Sequence, residues 1–251
     1  MELETIAVHG WQKPDPVTGA IAIPITVAKN GAFRGIGSPI GIEYARSQNP
    51  TRETLEKLVA ELEGGGEGIA LSSGVSAIHC FFAALDKNDH VIFGSKLYGG
   101  SIRLANIVLS KFLDIDFVDP NDTKSLERAL KPNTKYILVE TPTNPLLEIV
   151  DLKALQDFSR SKGIPYVLDN TFATPYLLRG FEYGAEAIIH STSKYLGGHH
   201  NAIGGVAVTK DNQLAEEIRQ NRRYLGHAIS PDAASRIHTG LATLELRIKQ
   251  H

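Results

Sequence analysis

From Thr51 onward the chain alternates between two spacings of apolar residues. In TRETLEKLVAELEGG, Leu55, Val59 and Leu62 recur at i, i+4 and i+7, after a first-turn acid and before a glycine stop, which predicts an amphipathic helix. Short β-rich runs then follow at IALSS (69–73), HVIFGS (90–95), DIDFVD (114–119), TKYILVE (134–140), IPYVLDN (164–170), AEAIIHS (185–191) and AIGGVAVTK (202–210). Helical patterns separate most of them: SAIHCFFAAL, SIRLANIVLSKF, DTKSLERAL with Asp122 placed to cap it, and DLKALQDFSRSKG with Leu152, Leu155 and Phe158 on one face. The last two strand-like runs have no full helix between them. Strands that are apolar nearly throughout and separated by helices predict an α/β fold, with a mostly parallel sheet covered by helices on both faces. In such sheets ligands sit beyond the carboxyl ends of the strands. That directs attention to Ser72–Ser73–Gly74, Tyr98, Glu140–Thr141, Asp169–Asn170 and Ser191–Lys194.

Residues 1–50 show no sustained period and are rich in glycine, proline and polar residues, which predicts an extended arm with loops that packs on something else. At the other end, PDAASRIHTGLATLELRIKQH predicts one long helix running to His251, as in a chain cut near a domain boundary.

Composition narrows the function classes. The chain has 251 residues, 42% hydrophobic and 22% charged, an ordinary globular balance with enough length for a sizeable core. The net charge of -2 is spread without blocks, so no nucleic-acid surface is expected. No apolar stretch approaches the roughly 20 residues of a membrane helix, and the N-terminus lacks a secretory pattern. Cys80 is the only cysteine and lies in the apolar run AIHCFFAAL, which suggests a core residue in a reducing, cytoplasmic setting.

The candidate chemistry centres on HSTSKYLGGHHN (190–201). Ser191 and Ser193 precede Lys194 at a spacing that points both hydroxyls to one side of an extended segment, and Gly197–Gly198 let the backbone approach a ligand. A lysine amine beside phosphate-binding hydroxyls suits a carbonyl cofactor with a phosphate arm. Asp169 ends the run PYVLD, 25 residues before the lysine. Alone it reads as a turn or helix cap; beside Lys194 it reads as a carboxylate held against a pyridine nitrogen. Ser73–Gly74–Val75 sits between a strand and a helix, where free backbone N–H groups attract phosphate. Tyr98 could lay its ring on a flat heterocycle. GIGSPIG (35–41) follows no strand and opens no helix, so a dinucleotide fingerprint is rejected. His190, His199 and His200 have no metal-ligand spacing with cysteine or carboxylate, and no metal is expected. There is no G-x-S-x-G nucleophile elbow.

These segments, in order, resemble a known family. DPVTGAIAIPI, YARSQNPTRETLEKLVAELEGG, LSSGVSAI, KLYGGS, VETPTNP, VLDNTFATP and HSTSKYLGGH are similar to the Cys/Met-metabolism group of pyridoxal-phosphate enzymes. That group includes cystathionine γ-synthases, cystathionine β- and γ-lyases, O-acetylhomoserine sulfhydrylases and methionine γ-lyases. The resemblance implies the large domain of an aspartate-aminotransferase-like, fold type I enzyme over residues 51–251. It implies pyridoxal 5'-phosphate bound covalently at Lys194, which would also shuttle protons, and Asp169 paired with the pyridine nitrogen. Ser73, Gly74, Val75, Ser191 and Ser193 would surround the phosphate, and Tyr98 would stack on the ring and assist proton transfer. Asn144, in TPTNP, would meet the ring hydroxyl, with Glu140 supporting that region. Tyr44 and Arg46 resemble a pair that reaches a neighbouring subunit's phosphate, implying a homodimer or homotetramer with shared sites and an arm (1–50) serving the neighbour.

The same resemblance marks two departures. Family members continue into a smaller C-terminal domain carrying the arginine for the substrate carboxylate; this chain ends about where it would begin, and none of Arg222, Arg223 and Arg247 matches that motif. The expectation is therefore β/γ-elimination or γ-replacement on cystathionine, homoserine esters or related sulfur amino acids, with a truncated, catalytically impaired cofactor-binding paralogue or gene fragment as the rival. Gly100 and Asn201 leave the subgroup open: the first leans toward cystathionine or homoserine-ester chemistry, and the run GGHHNAIGG also resembles the sulfhydrylases.

Overall fold

A computed structural model describes residues 2–251. Helix α1 (Leu3–His9) buries Ile6 and Ala7 against later helices, so the first residues dock on the body of the molecule. Residues 11–49 are mostly exposed and carry one short hairpin, β1 (Phe33–Gly35) and β2 (Ser38–Pro39). GIGSPIG is this hairpin's turn and second strand, with Gly37 at φ 71°, and not a strand-to-helix loop.

Helix α2 (Pro50–Leu62) begins where the side chain of Asn49 accepts the N–H of Arg52 and Pro50 takes the first helical position. Leu55, Val59 and Leu62 are fully buried, as their spacing predicts. The chain then alternates strictly: β3 (Glu67–Leu71), α3 (Gly74–Phe82), β4 (His90–Gly94), α4 (Gly99–Ile107), β5 (Asp114–Val118), α5 (Thr123–Ala129), β6 (Thr134–Glu140), α6 (Leu152–Lys162) and β7 (Tyr166–Asp169). After the short α7 (Thr174–Leu177) come β8 (Ala187–His190), β9 (Gly205–Thr209) and α8 (Asn212–Leu225). Asp122 caps α5 through the N–H groups of Lys124 and Ser125, and Gly163 closes α6 at φ 66°.

Seven strands form one sheet in the order β3-β9-β8-β7-β6-β4-β5. All run parallel except β9, which is antiparallel to both neighbours. Among the described residues no helix crosses back over the sheet between the last two runs, and β8 pairs with β9 antiparallel. Each central strand is buried on both faces. Ile69, Leu71, Val91, Phe93, Leu138, Val167 and Ile189 meet α3, α4 and α8 on one side. Ala70, Val206 and Val208 meet α2 and the C-terminal helices on the other, where Ile137, Val139, Tyr166 and Leu168 pack on α5 and α6. Cys80 lies in the first of these clusters, and burial pushes its thiol up to about 12, an inert core residue.

The C-terminal pattern departs from expectation. Instead of one helix, α9 (Pro231–Leu241) and α10 (Leu244–Gln250) are separated at Ala242–Thr243. The carbonyl of Gly240 accepts from Thr243 Oγ1 at 3.2 Å and from Arg247 Nη2 at 2.7 Å, which gives that carbonyl side-chain partners in place of the helical ladder. No helix among the described residues is long and apolar enough to cross a membrane.

Candidate active site

Because β3, β4, β6, β7 and β8 are parallel, their carboxyl ends share one edge of the sheet, and the polar residues that follow them converge. Ser73, Gly74, Val75, Tyr98, Glu140, Asn144, Asp169, Ser191, Ser193 and Lys194 line one cavity of about 250 Å³. Thr171, Phe172, Ser101, Ile78 and Ile203 complete its wall.

The phosphate-side corner is built from α3. Ser73 is its N-cap: Ser73 Oγ accepts the N–H of Ser76 at 3.0 Å and pairs with the Ser76 hydroxyl at 2.8 Å. The hydroxyl of Ser73 is thereby engaged with its own helix, while the N–H groups of Gly74 and Val75 have no acceptor among the described residues. Gly74 faces Ser191 so closely that a Cβ would fall 2.8 Å from the Cβ of Ser191, so glycine is what lets the two loops meet. Ser193 Oγ accepts the N–H of Gly204 at 3.0 Å, which pins the returning loop. Lys194 is exposed at the cavity, and its amine makes no ion pair or hydrogen bond among the described residues.

Asp169 and Glu140 end adjacent strands in register. Asp169 Oδ1 accepts the hydroxyl of Thr171 at 2.5 Å and its N–H at 3.1 Å. Thr171 Oγ1 in turn accepts the N–H of Ser191 at 2.8 Å, so one threonine joins the Asp169 carboxylate to the lysine loop. Glu140 is a clamp: Oε2 accepts the N–H of Tyr98 at 2.6 Å and Oε1 that of Asn144 at 3.0 Å. Burial raises both carboxyls above the ordinary range, and Asp169 adds to the rise at Glu140; the hydrogen bonds each accepts oppose it. Two carboxyls this close and this dry hold a proton more tightly than either would in water. The ring of Tyr98 lies against Gly100, where a Cβ would come within 2.4 Å of Cε1.

A family model described as Cys/Met metabolism PLP-dependent enzyme matches residues 4–251. The chain belongs to this family. Among its relatives, the cystathionine beta-lyase of Lactococcus lactis subsp. cremoris is 39% identical over 250 residues, covering 99% of this chain and 66% of that protein. The cystathionine gamma-lyase of Bacillus subtilis (strain 168) is likewise 39% identical over 99% of this chain and 66% of its own. The solved cystathionine gamma-lyase from Lactobacillus plantarum, complexed with L-serine, superposes at a TM-score of 0.93 with 39% identity, over 98% of this chain and 65% of that one. The chain thus spans about two thirds of the length of the relatives it matches. A beta-lyase and a gamma-lyase are equally identical to this chain, so similarity alone does not choose between them.

Pyridoxal 5'-phosphate is the cofactor of this family, and the cavity fits it on four counts. Lys194 offers an unpartnered amine, Gly74 and Val75 offer two unpaired N–H donors at a helix N-terminus, Asp169 offers a carboxylate, and Tyr98 with Phe172 offers aromatic walls. The structure brings together the sequence-predicted cofactor residues except Tyr44 and Arg46; Gly197 and Gly198, expected to let the backbone approach a ligand, lie instead against Thr192 and Arg247. Tyr44 and Arg46 lie in the arm, with the Arg46 guanidinium 5.2 Å over the Tyr44 ring, and neither lines the cavity of its own chain. Thr171 and Phe172 escaped the sequence reading, although both sit in the run DNTF directly after Asp169. His190, considered above as a metal ligand, is fully buried with Nε2 2.5 Å from Glu63 Oε1, and Glu63 also accepts from Asn170 at 3.0 Å.

Proposed function

We propose that the chain forms the cofactor-bearing body of a transsulfuration enzyme, which carries out β/γ-elimination or γ-replacement on cystathionine, homoserine esters or related sulfur amino acids. The observation that carries this reading is the convergence of Lys194, Asp169 and the free N–H groups of Gly74 and Val75 in one cavity. Bound there, pyridoxal phosphate supplies a carbonyl for attachment and a protonated ring that takes up electron density from a substrate α-carbon. Lys194 holds the cofactor and moves protons between the substrate's carbons. Asp169, oriented by Thr171, keeps the ring nitrogen protonated. Gly74, Val75, Ser191 and Ser193 hold the phosphate, with Ser73 fixing the helix end that presents the donors. Tyr98 stacks on the ring, Asn144 meets the ring hydroxyl, and the Glu140 clamp sets both in place.

In this reading the segment 1–50, apart from α1, which docks on its own chain, serves a second copy, and Tyr44 and Arg46 reach its phosphate, in a homodimer or homotetramer within the cytoplasm. The arm supports that assignment, because it exposes Val17, Val27, Ile21 and Ile40, each more than half accessible, on a segment with little packing of its own. Absorbance decides the first step: titration with pyridoxal phosphate is expected to produce a visible band that Lys194→Ala abolishes. Release of pyruvate or 2-oxobutyrate from cystathionine tests the second. A wild-type protein without the band sinks the cofactor site, and a band without turnover sinks the enzymatic reading.

A further inference from the structure

Arg52 on α2 and Arg222 on α8 are among the most buried polar residues of the molecule, 1% and 3% exposed, yet neither approaches the cavity described above. Both point at the same short stretch of the arm. Arg52 Nη1 donates to the carbonyl of Ala45 at 2.9 Å and Nη2 to that of Ser47 at 2.7 Å. Arg222 Nη2 donates to the same Ser47 carbonyl at 3.1 Å. Arg46 therefore sits between two peptide carbonyls that are each held by a buried guanidinium. Within the stretch, the N–H groups of Ser47 and Gln48 both donate to the carbonyl of Tyr44, at 2.9 and 3.0 Å, closing a turn.

Glu56 ties this assembly to the sheet. Its Oε1 pairs with Arg222 Nη1, lies 3.5 Å from Arg52 Nε and accepts the N–H of Ala70 in β3 at 2.9 Å. Two buried cations share one buried carboxylate. Burial, with Arg222 beside it, pushes Arg52 down to about 10. Buried charge of this kind adds little net stability, and its attested use is to fix one geometry among several. What it fixes here is backbone: that of Ala70 in β3, and the Ala45–Ser47 stretch of the arm that carries Arg46 next to Tyr44. Their side chains make no hydrogen bond or ion pair among the described residues, and the Arg46 guanidinium lies over the Tyr44 ring.

We infer that Arg222, with Arg52 and Glu56, is a positioning residue for a second copy's cofactor site: it holds the Ala45–Ser47 backbone so that Tyr44 and Arg46 meet that copy's phosphate. The inference rests on the reading of the arm given above. It places a determinant of cofactor affinity on α8, in a different subunit from the cofactor it serves.

The test uses the full chain and pyridoxal phosphate itself. Arg222→Met keeps the aliphatic stem and removes the donors; its homodimer is expected to bind the cofactor about tenfold more weakly, the size of a coupled contact. Mixed with Lys194→Ala subunits, the hybrid holds one intact lysine site served by an intact arm, and that site is expected to recover wild-type affinity. Should Arg222→Met not fold, Arg222→Lys replaces it, and the cycle with the exposed Arg46→Ala is read instead: the double variant is expected to lose less than the sum of the two single losses, the remainder acting through Tyr44. Weak binding that persists in the hybrid, additive losses in the cycle, or unchanged affinity in the Arg222 variants each overturns the inference. If the wild-type chain shows no cofactor band, the cofactor reading falls and takes this one with it; a wild-type band with unaffected variants removes this one alone.

Discussion

The cofactor wall and the N-terminal arm are built on opposite principles. The wall stands on strand ends: Glu140, Asp169 and Ser191 follow β6, β7 and β8, which are buried on both faces, and short hydrogen bonds through Thr171 and Glu140 lock their loops together. The arm between residues 11 and 49 has one short hairpin, and many of its apolar side chains face solvent. Among the described residues its hydrogen bonds to the body fall at two places, and Lys57 lies over the Trp11 ring at its start. Asn49 and Thr51 bond the backbone of Pro24 and Thr26, and Arg52 with Arg222 bonds that of Ala45 and Ser47. The wall is satisfied within one chain, whereas the arm is fixed at its roots and left free along its length, as the role proposed for it at a second copy requires.

That contrast can be broken most directly at Glu140. Glu140→Gln replaces an acceptor of two N–H groups with a side chain that presents a donor to one of them, leaving Tyr98 or Asn144 unpaired. A loss of about 1–3 kcal/mol in stability is expected, the cost of one buried donor left without a partner. The pH dependence sharpens the result. A carboxyl whose folded pKa is raised contributes stability below its ordinary value of 4.5, and that contribution is lost as pH rises through the raised value. The cofactor-free protein is therefore expected to lose stability as pH rises from 4.5 to about 8 and to level off beyond it, and thermal melts of the variant against pH are expected to be flatter. An unchanged slope would show that Glu140 is not the titrating member of the pair.

A second break is steric. Gly74→Ala places a Cβ against Ser191 and is expected to cost about 1–3 kcal/mol as an overpacked contact. Cofactor affinity should fall with it, because the loops that carry the phosphate donors must part. Equilibrium denaturation and cofactor titration read the two effects; loss of stability with untouched affinity would remove Gly74 from the phosphate corner. The smallest change is expected in the arm's root. Asn49→Ala deletes the cap of α2 and the bond to Thr26 and should lower stability by about 1 kcal/mol, as cap deletions do. A drop several times larger would mean that the arm supports its own chain as well as a neighbour.

Much of this was readable from sequence because it is local. The period of α2, the caps at Asp122 and Gly163, and the strand cores of β4 and β6 are dictated by neighbours in the chain. Lys194 and Asp169 were legible as well, since parallel strands put whatever follows them at one edge. The Glu140 clamp was not, for its partner at Tyr98 is 42 residues away and is a backbone N–H, which no side-chain pattern advertises. The pairing of His190 with Glu63, across 127 residues, was hidden in the same way. The break between α9 and α10 was missed because Thr243 and Arg247 look like ordinary helix formers until their hydrogen bonds to the Gly240 carbonyl are seen.

The reversed strand β9 has a consequence for how the lysine loop comes into being. That loop leaves β8 and returns through β9, and β9 lies between β8 and β3, pairing Gly205 with Leu71 across 134 residues of chain. Its near edge forms within a short span, but its far edge waits for one of the first strands of the sheet. A fragment without residues 67–71 leaves β9 with an open edge and removes the strand from which Gly74 is reached. Among pieces of this fold, Lys194 acquires its full surroundings only in one that spans both.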